Sequence, residues 1–354
     1  MRDHYLKSIR IENFRGISKG ILEDFQDINI FIGRNNTGKS SVLEALYLFL
    51  TDGHVDFLDR RSLRVVVTRR GWYGTETVSH LFTDPNSPSI IEGGNTQGRK
   101  DKFSLSISIP YSTELSYAKE AGLDINRTVC LKADKNDRAL YRFYISSEGK
   151  THYFILDEGY FTGRRSNTLF IDDLLVKSFG EPEKIYSVIL KLGGRDVLDR
   201  VLSVLRDRYP DVRDVTPLQI GDRWVLHVLY EDRSIPFYSM GDGFKLAFTY
   251  VMLSSLVRGG YLIIEEPEQH QHPGSLDLIL KALYRAARNN DVQIFISTHD
   301  IRVLDRFIEL AKEEGGVLVK VYKLSLEDNI LKATTFDLEE LYTYRKELEI
   351  DLRL

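Results

Sequence analysis

Residues 33 to 40 read Gly-Arg-Asn-Asn-Thr-Gly-Lys-Ser, the spacing G-x-x-x-x-G-K-[ST]. That combination suits polyphosphate. Gly33 and Gly38 let backbone N–H groups turn inward onto phosphate oxygens, and a helix starting at the lysine adds partial positive charge. Lys39 would neutralise the β- and γ-phosphates, and the Ser40 hydroxyl would ligate Mg2+. Arg34, Asn35, Asn36, Thr37 and Ser41 complete the set of candidate phosphate contacts in and beside the loop. The plainer alternative is an ordinary glycine-rich turn, and the flanks weigh against it. An apolar stretch, Ile28-Asn29-Ile30-Phe31-Ile32, precedes the loop, and Val42, Leu43, Leu46, Phe49 and Leu50 follow on one helical face. Strand, glycine loop and helix together make the pattern a site.

Three more segments carry chemistry. Tyr261-Leu262-Ile263-Ile264 runs into the carboxylates Glu265 and Glu266. An acid at a buried strand's end holds the Mg2+ shell, which assigns Glu265 to the metal, and the next one orients and deprotonates an attacking water, which assigns Glu266 to catalysis. Phe295-Ile296-Ser297-Thr298-His299-Asp300 ends a second strand and places His299 as a γ-phosphate sensor. Ser239 and Gly241, in Tyr238-Ser239-Met240-Gly241-Asp242-Gly243, open an apolar helix and form an anion-binding nest. Each has a bland use: a strand that stops at polar residues, a capping histidine, a capped helix. Their conjunction with the loop favours one shared triphosphate, because parallel strands present their carboxyl ends to a ligand.

The elements that position these residues follow from periodicity. Ile9 and Ile11 alternate with Ser8, Arg10 and Glu12, as a half-buried strand does. Residues 56 to 72 are arginine-rich, with Arg60, Arg61, Arg64, Arg69 and Arg70, and serve either as a solvated rim or as a phosphate-facing surface. Residues 84 to 102 hold Pro, Gly, Asn and Ser and read as a loop. From 103 to 156 the period is two, with a hairpin around Ser-Ser-Glu-Gly-Lys, so an antiparallel lobe is expected, its aromatics used for sheet packing or for base stacking. Residues 171 to 209 are helical in pattern, and Trp224–Tyr230 and Ile235–Tyr238 return to strand. Beyond Gly243, helix and strand alternate, which implies a mostly parallel sheet with helices on its faces. A charged helix over 338 to 352 closes the chain.

The 354 residues exceed one simple core, so a large domain with an insertion, or two lobes, is expected. With 42% hydrophobic and 28% charged residues the composition is globular, and no run approaches a membrane span. The N-terminus lacks the apolar stretch of a signal peptide, and the single Cys130 excludes an internal disulfide, so a cytoplasmic setting is expected. A net charge of −4 gives no global field for nucleic acid. His270 and His272 are too few for a metal site by themselves.

Residues 6 to 50 and 236 to 300 resemble the ABC-type ATPases of the RecF, structural-maintenance-of-chromosomes and overcoming-lysogenization-defect group. Asn13-Phe14-Arg15 matches the strand that ends N-F-R before the phosphate loop, Ser239 and Gly241 match the S-x-G signature, and Glu265-Glu266-Pro267-Glu268-Gln269-His270-Gln271-His272-Pro273 matches D-E-P-E-x-H-L-H-P. Glu265 stands for the usual aspartate and Gln271 for an apolar residue. The resemblance implies a P-loop NTPase fold of ABC type: a mostly parallel central sheet with helices on both faces, an antiparallel β lobe and a helical subdomain. It implies one ATPase domain over 1–354, with a loop-bearing lobe at 1–170, a helical signature lobe at 171–260, and the acid pair, switch histidine and last helix in 261–354. It also implies ATP and Mg2+ as cofactors, Arg15 near the nucleotide, Glu266 as base, His299 as switch, and a homodimer formed head to tail on ATP binding. The segment after Asp300 leaves no nuclease domain to expect.

Two functions fit. One is an ATPase whose ATP-driven dimerisation acts as a switch on DNA or a DNA-bound protein, in DNA repair or anti-phage defence. The other is an ATP-sensing regulator of a separate effector, a toxin or nuclease, with little DNA binding. A membrane partner is not expected.

Overall fold

The computed structural model describes residues 5–109, 116, 119–120, 122–162, 166–178, 182–269 and 271–344. The chain divides into two compact units: Met1–Gln26 with Ile32–Leu169 and Tyr322–Thr335, and Asp27–Phe31 with Phe170–Val321 and Phe336–Leu354. The strands begin β1 (Leu6–Phe14), β2 (Ile17–Leu22), β3 (Ile28–Ile32), β4 (Ser89–Asn95), β5 (Lys100–Ser108), β6 (Thr128–Lys135), β7 (Arg138–Ser146) and β8 (Thr151–Ile155). They continue as β9 (Thr168–Ile171), β10 (Asp214–Ile220), β11 (Arg223–Leu229), β12 (Ser234–Pro236), β13 (Gly260–Glu265), β14 (Val292–Ser297), β15 (Val319–Glu327) and β16 (Ile330–Phe336). The helices used below are α1 (Lys39–Thr51), α2 (Ser62–Thr68), α3 (Pro182–Arg206), α4 (Asp242–Leu256), α5 (Pro273–Asn289), α6 (Ile301–Glu313) and α7 (Leu338–Tyr342).

In the first unit the strands lie in the order β8-β7-β6-β5-β4-β1-β2-β16-β15. The ladders from β8 through β1 to β2 are antiparallel, and β2 pairs with β16 in parallel. Ile9 and Ile11 are fully buried, as their alternation requires. β4 corrects the expectation of a loop over 84 to 102. Its two glycines hide a strand pattern, yet a Cβ at Gly93 would come within 2.3 Å of the Phe49 ring, so the small residue is what lets α1 approach the sheet. Helix α1 also departs from a one-faced amphipath. Val42 through Phe49 are all buried and only Leu50 is half-exposed, which is the pattern of a central helix. Tyr141, Phe143 and Tyr144 are fully buried, so these aromatics pack the sheet.

In the second unit β3-β14-β13 form parallel ladders with β9 next in order. The register sets Ile264 beside Ile296 and Ile296 beside Ile30, so Glu265 and Ser297 end their strands at one level. These strands are buried along most of their length, as near-continuous apolar runs predict. α5 buries Leu276, Ile279, Leu280 and Leu283, and α6 buries Val303, Leu304, Phe307 and Ile308. α3 is broken at Gly194, whose backbone is non-helical. Strands β10-β11-β12 make a separate antiparallel sheet. β10 has no counterpart in the sequence reading, because Pro217 argues against a strand; it is tolerated here because β10 is an edge. The strand expected over 235–238 is shorter, since Phe237–Ser239 turn as a 3-10 element. Of the closing helix, Leu338–Tyr342 is described, started by a capping box between Asp337 and Glu340; residues beyond 344 lie outside the described residues. Among the described residues no helix is long and apolar enough to cross a membrane.

Candidate functional sites

The phosphate loop lies in the first unit. Gly33 has φ 145°, and a Cβ there would sit 2.6 Å from the Leu324 carbonyl oxygen, so no other residue fits without displacing backbone. Gly38, at φ 91°, is the residue before α1 and offers no side-chain cap, which leaves the first-turn amides of the helix for an outside acceptor. Arg34, Asn35 and Asn36 are exposed, while Thr37 and Ser40 are half-buried. The Thr37 hydroxyl donates to the Arg34 carbonyl at 2.9 Å. The Lys39 ammonium donates to the carbonyls of Gly33 and Arg34, both at 2.8 Å, so it is held over its own loop. Ser41 is buried.

One turn further along α1, Glu44 is fully buried and collects three guanidiniums. Arg15 Nε reaches it at 2.7 Å, Arg69 Nη1 at 2.7 Å and Arg70 Nε at 2.8 Å. Burial alone would push the Glu44 carboxyl up; the charges of Arg15, Arg70 and Arg69 outweigh it and hold the group below its ordinary value. Arg15, expected near the nucleotide, thus has its guanidinium seated on Glu44, with Nη2 donating to the Val66 carbonyl at 2.6 Å. Burial pushes Arg15 down, and Glu44 opposes that shift. Three cations on one carboxylate leave an excess of positive charge. Arg70 is its outer member, with a side chain 41% exposed and Nη2 3.5 Å from Ser41 Oγ. Within the arginine run of 56 to 72, Arg61 lies over the Tyr153 ring, while Arg69 and Arg70 converge on Glu44 of the loop helix.

The acid pair and the histidine lie in the second unit. Glu265 ends β13, and Glu266 follows with φ 45°, a left-handed backbone that is uncommon for a non-glycine residue. Its N–H donates to the Ser297 carbonyl at 2.9 Å, which fixes the turn. His299 Nε2 stands 2.7 Å from Glu266 Oε1, and Gln269 Nε2 donates to the other carboxylate oxygen. An ionised carboxylate only accepts, so the imidazole carries its proton on Nε2 in this pair. Glu268, unremarked as a functional residue in the sequence, accepts from the Thr298 hydroxyl at 2.7 Å and from the His299 N–H at 2.8 Å. Thr298 N–H in turn donates to the Phe31 carbonyl of β3 at 3.1 Å, one residue before that strand ends.

The rest of the predicted set is placed as follows. Ser239 is exposed at the end of its 3-10 turn, and Gly241 is the residue before α4, again with no side-chain cap. His272 caps α5, its Nδ1 accepting from the Gly274 N–H at 3.3 Å, with Pro273 opening the helix. His270 lies outside the described residues. The Gln271 amide, standing where the family pattern has an apolar residue, is buried with neither polar atom partnered among the described residues.

The family described as AAA domain, putative AbiEii toxin, type IV TA system, matches residues 28–305. An uncharacterized protein of Methanocaldococcus jannaschii is 33% identical over 236 residues, 63% of this chain and 95% of that protein. An ATP/GTP phosphatase of Helicobacter pylori is 22% identical over 369 residues, 96% of this chain and 97% of the relative. Among solved structures, an Smc head bound to the C-winged helix domain of ScpA aligns with TM-score 0.50 and 12% identity, covering 98% of this chain and 100% of that one. That likeness speaks to the fold alone.

Proposed function

The chain belongs to this AAA-domain family, within the ABC-type ATPases of the RecF and structural-maintenance group, and from that premise we propose that it is a Mg2+-dependent ATPase switched by ATP-driven dimerisation. The observation that carries the proposal is Glu266: a strained left-handed backbone at a parallel strand's end, with its carboxylate held between His299 and Gln269. Strain at a residue so placed is a mark of function. The loop supports the same reading, because Gly33, which admits no Cβ, and Gly38, whose φ of 91° disfavours one, leave amides for phosphate.

In this reading the backbone of Gly33–Gly38 and the Lys39 ammonium bind the β- and γ-phosphates. Lys39 exchanges its two carbonyl contacts for phosphate oxygens, which are stronger, charge-assisted acceptors. Ser40 and Glu265 are the residues that would hold Mg2+, which when bound neutralises phosphate charge. Two protein ligands suffice, since Mg2+ keeps several waters. Glu266 takes a proton from the attacking water as its oxygen bonds to the γ-phosphorus and the bond to the β-phosphate oxygen breaks. His299 orients Glu266 through its Nε2–H in the resting chain and turns that N–H to the γ-phosphate when ATP binds. Arg15 acts through Glu44, holding Arg70 beside Ser41, where its free face meets a phosphate. Ser239 and Gly241, exposed at the start of α4, contact the nucleotide of a second copy. A cytoplasmic setting and a DNA-repair or defence role belong to this proposal.

Glu266→Gln tests it. Phosphate release should fall about 10²- to 10⁴-fold while ATP binding persists and a dimer accumulates on size exclusion. Undiminished hydrolysis in that variant overturns the assignment. The family description, which names a toxin–antitoxin system, favours a second reading in which ATP controls capture of a separate effector. Pull-downs with and without ATP separate the two: nucleotide-dependent capture with weak DNA affinity supports the effector, and an ATP-dependent DNA shift with a steep salt slope supports the switch on DNA.

A further inference from the structure

We propose that Glu268 is a positioning residue: it locks the backbone around His299, so that the turn after β13 and the end of β14 act as one unit. The inference rests on the assignment of Glu266 and His299 above. Glu268 Oε1 accepts from the Thr298 hydroxyl and from the His299 N–H, at 2.7 and 2.8 Å. The Thr298 hydroxyl oxygen also accepts from the Asp300 N–H at 2.9 Å. The backbone is therefore tied at His299 and at Asp300, directly or through one hydroxyl, to a single carboxyl oxygen. The imidazole is carried on this fixed backbone to within 2.7 Å of Glu266. Glu266 is itself tied back to β14 by its N–H on the Ser297 carbonyl. A closed ring results, running Glu266, Ser297, Thr298, Glu268, His299 and back to Glu266. Opening it at Glu268 removes two of the hydrogen bonds that fix the segment carrying His299.

The chemistry of Glu268 suits a fixture better than a base. Its donors are neutral, a hydroxyl and an amide. Burial pushes its carboxyl up, hydrogen bonds from the His299 N–H, the Thr298 hydroxyl and its own N–H partly offset this, and the neighbouring Glu266 adds to the rise. The second oxygen, Oε2, is buried with no hydrogen-bond partner among the described residues. The ionisable groups that sense it are Tyr250 from α4, Arg302 from α6 and Glu266. A further tie runs to β3, where the Thr298 N–H donates to the Phe31 carbonyl, one residue before that strand ends.

The test uses the whole chain without nucleotide. Imidazole 15N resonances are recorded for wild type, Glu268→Ala, Glu268→Gln and Thr298→Val, with the His299 signal assigned by its loss in His299→Gln. The Gln variant keeps an acceptor oxygen, so its His299 signal should stay at the wild-type position. The Ala variant should move it toward a solvent-exposed imidazole. Thr298→Val, which keeps the side-chain shape, should shift it part of the way and decides the matter if Glu268→Ala does not fold. An unmoved signal in a folded Ala or Val variant overturns the proposal. With Mg-ATP, kcat should fall about 10²-fold in Glu268→Ala, as for a catalytic group displaced by about 1 Å, with the ATP Kd within twofold of wild type and near-complete rescue in Glu268→Gln. Equal losses of kcat in Ala and Gln also overturn it. A wild type that neither binds nor hydrolyses ATP sinks the functional assignment instead, and the imidazole signal still decides the role of Glu268.

Discussion

Two glutamates, Glu44 fully buried in one unit and Glu268 half-buried in the other, show opposite solutions to the same problem. Glu44 is surrounded by three guanidiniums and held ionised below its ordinary range. Glu268 meets only neutral donors and is pushed up by burial. The first network stores positive charge beside the phosphate loop's helix; the second stores a backbone geometry beside the acid pair. A carboxylate among cations anchors charge, and a carboxyl among neutral donors anchors shape. The functional difference follows. Anions should respond to the Glu44 cluster, and the rate of chemistry should respond to the Glu268 ring.

The comparison breaks most visibly at Glu44. Glu44→Ala strands three cations against a buried face and should cost about 3–5 kcal/mol, read as a fall in urea midpoint or as failure to fold. A neutral result would mean that the guanidiniums find water or other acceptors. Arg15→Ala comes next. It removes a buried hydrogen-bonding partner from Glu44 and from Val66 and should cost about 1–3 kcal/mol. Arg70→Ala should be milder still, under about 1 kcal/mol, because the group is partly exposed and solvent screens it. Its larger effect should be on ATP affinity by calorimetry, and an unchanged affinity would remove Arg70 from the phosphate site.

The smallest effects sharpen the contrast through pH. Glu44 has a lowered folded value, so its stabilisation is present above the unfolded value, about 4.3, and is lost as pH falls through the lower folded value. Glu268 has a raised folded value. Its neutral form costs nothing at low pH, and stability is lost as pH rises from about 4.3 through the raised value. Glu268→Gln should therefore gain stability relative to wild type at neutral pH and match it in acid. Glu44→Gln should lose stability at neutral pH and converge with wild type in acid. Denaturant midpoints across pH 3 to 8 check both signs, and parallel profiles would contradict the distinction.

The parts of this architecture that are local in sequence were legible from it. The loop is eight consecutive residues flanked by a strand and a helix, and the apolar runs at 261 and 292 end where β13 and β14 end. The parallel direction of β3, β14 and β13 followed from alternating helices and strands; their order did not. What escaped depends on distant pairing. Glu44 and Arg70 are 26 residues apart, and Glu268 and Thr298 are 30 apart, so no window of spacing joins them. Arg69-Arg70 stood out as charge and Glu268 stood in the quoted acid stretch, yet neither named its partner. β4 and β10 were hidden by glycine and proline, residues whose cost in a strand vanishes at a close approach or an edge. The partner of Arg15 was hidden for a different reason: the match placed the residue, and packing decided where its guanidinium went.

The central claim is that the loop's lysine and Glu266 serve hydrolysis that one chain cannot complete, because the last phosphate contact comes from Ser239 of a second copy. The direct measurement is the rate of phosphate release per chain with Mg-ATP across a hundredfold range of protein concentration, for wild type and for Ser239→Ala. The account predicts a rate per chain that climbs with concentration in wild type and stays low in Ser239→Ala. A constant rate per chain, unaffected by loss of Ser239, would contradict it.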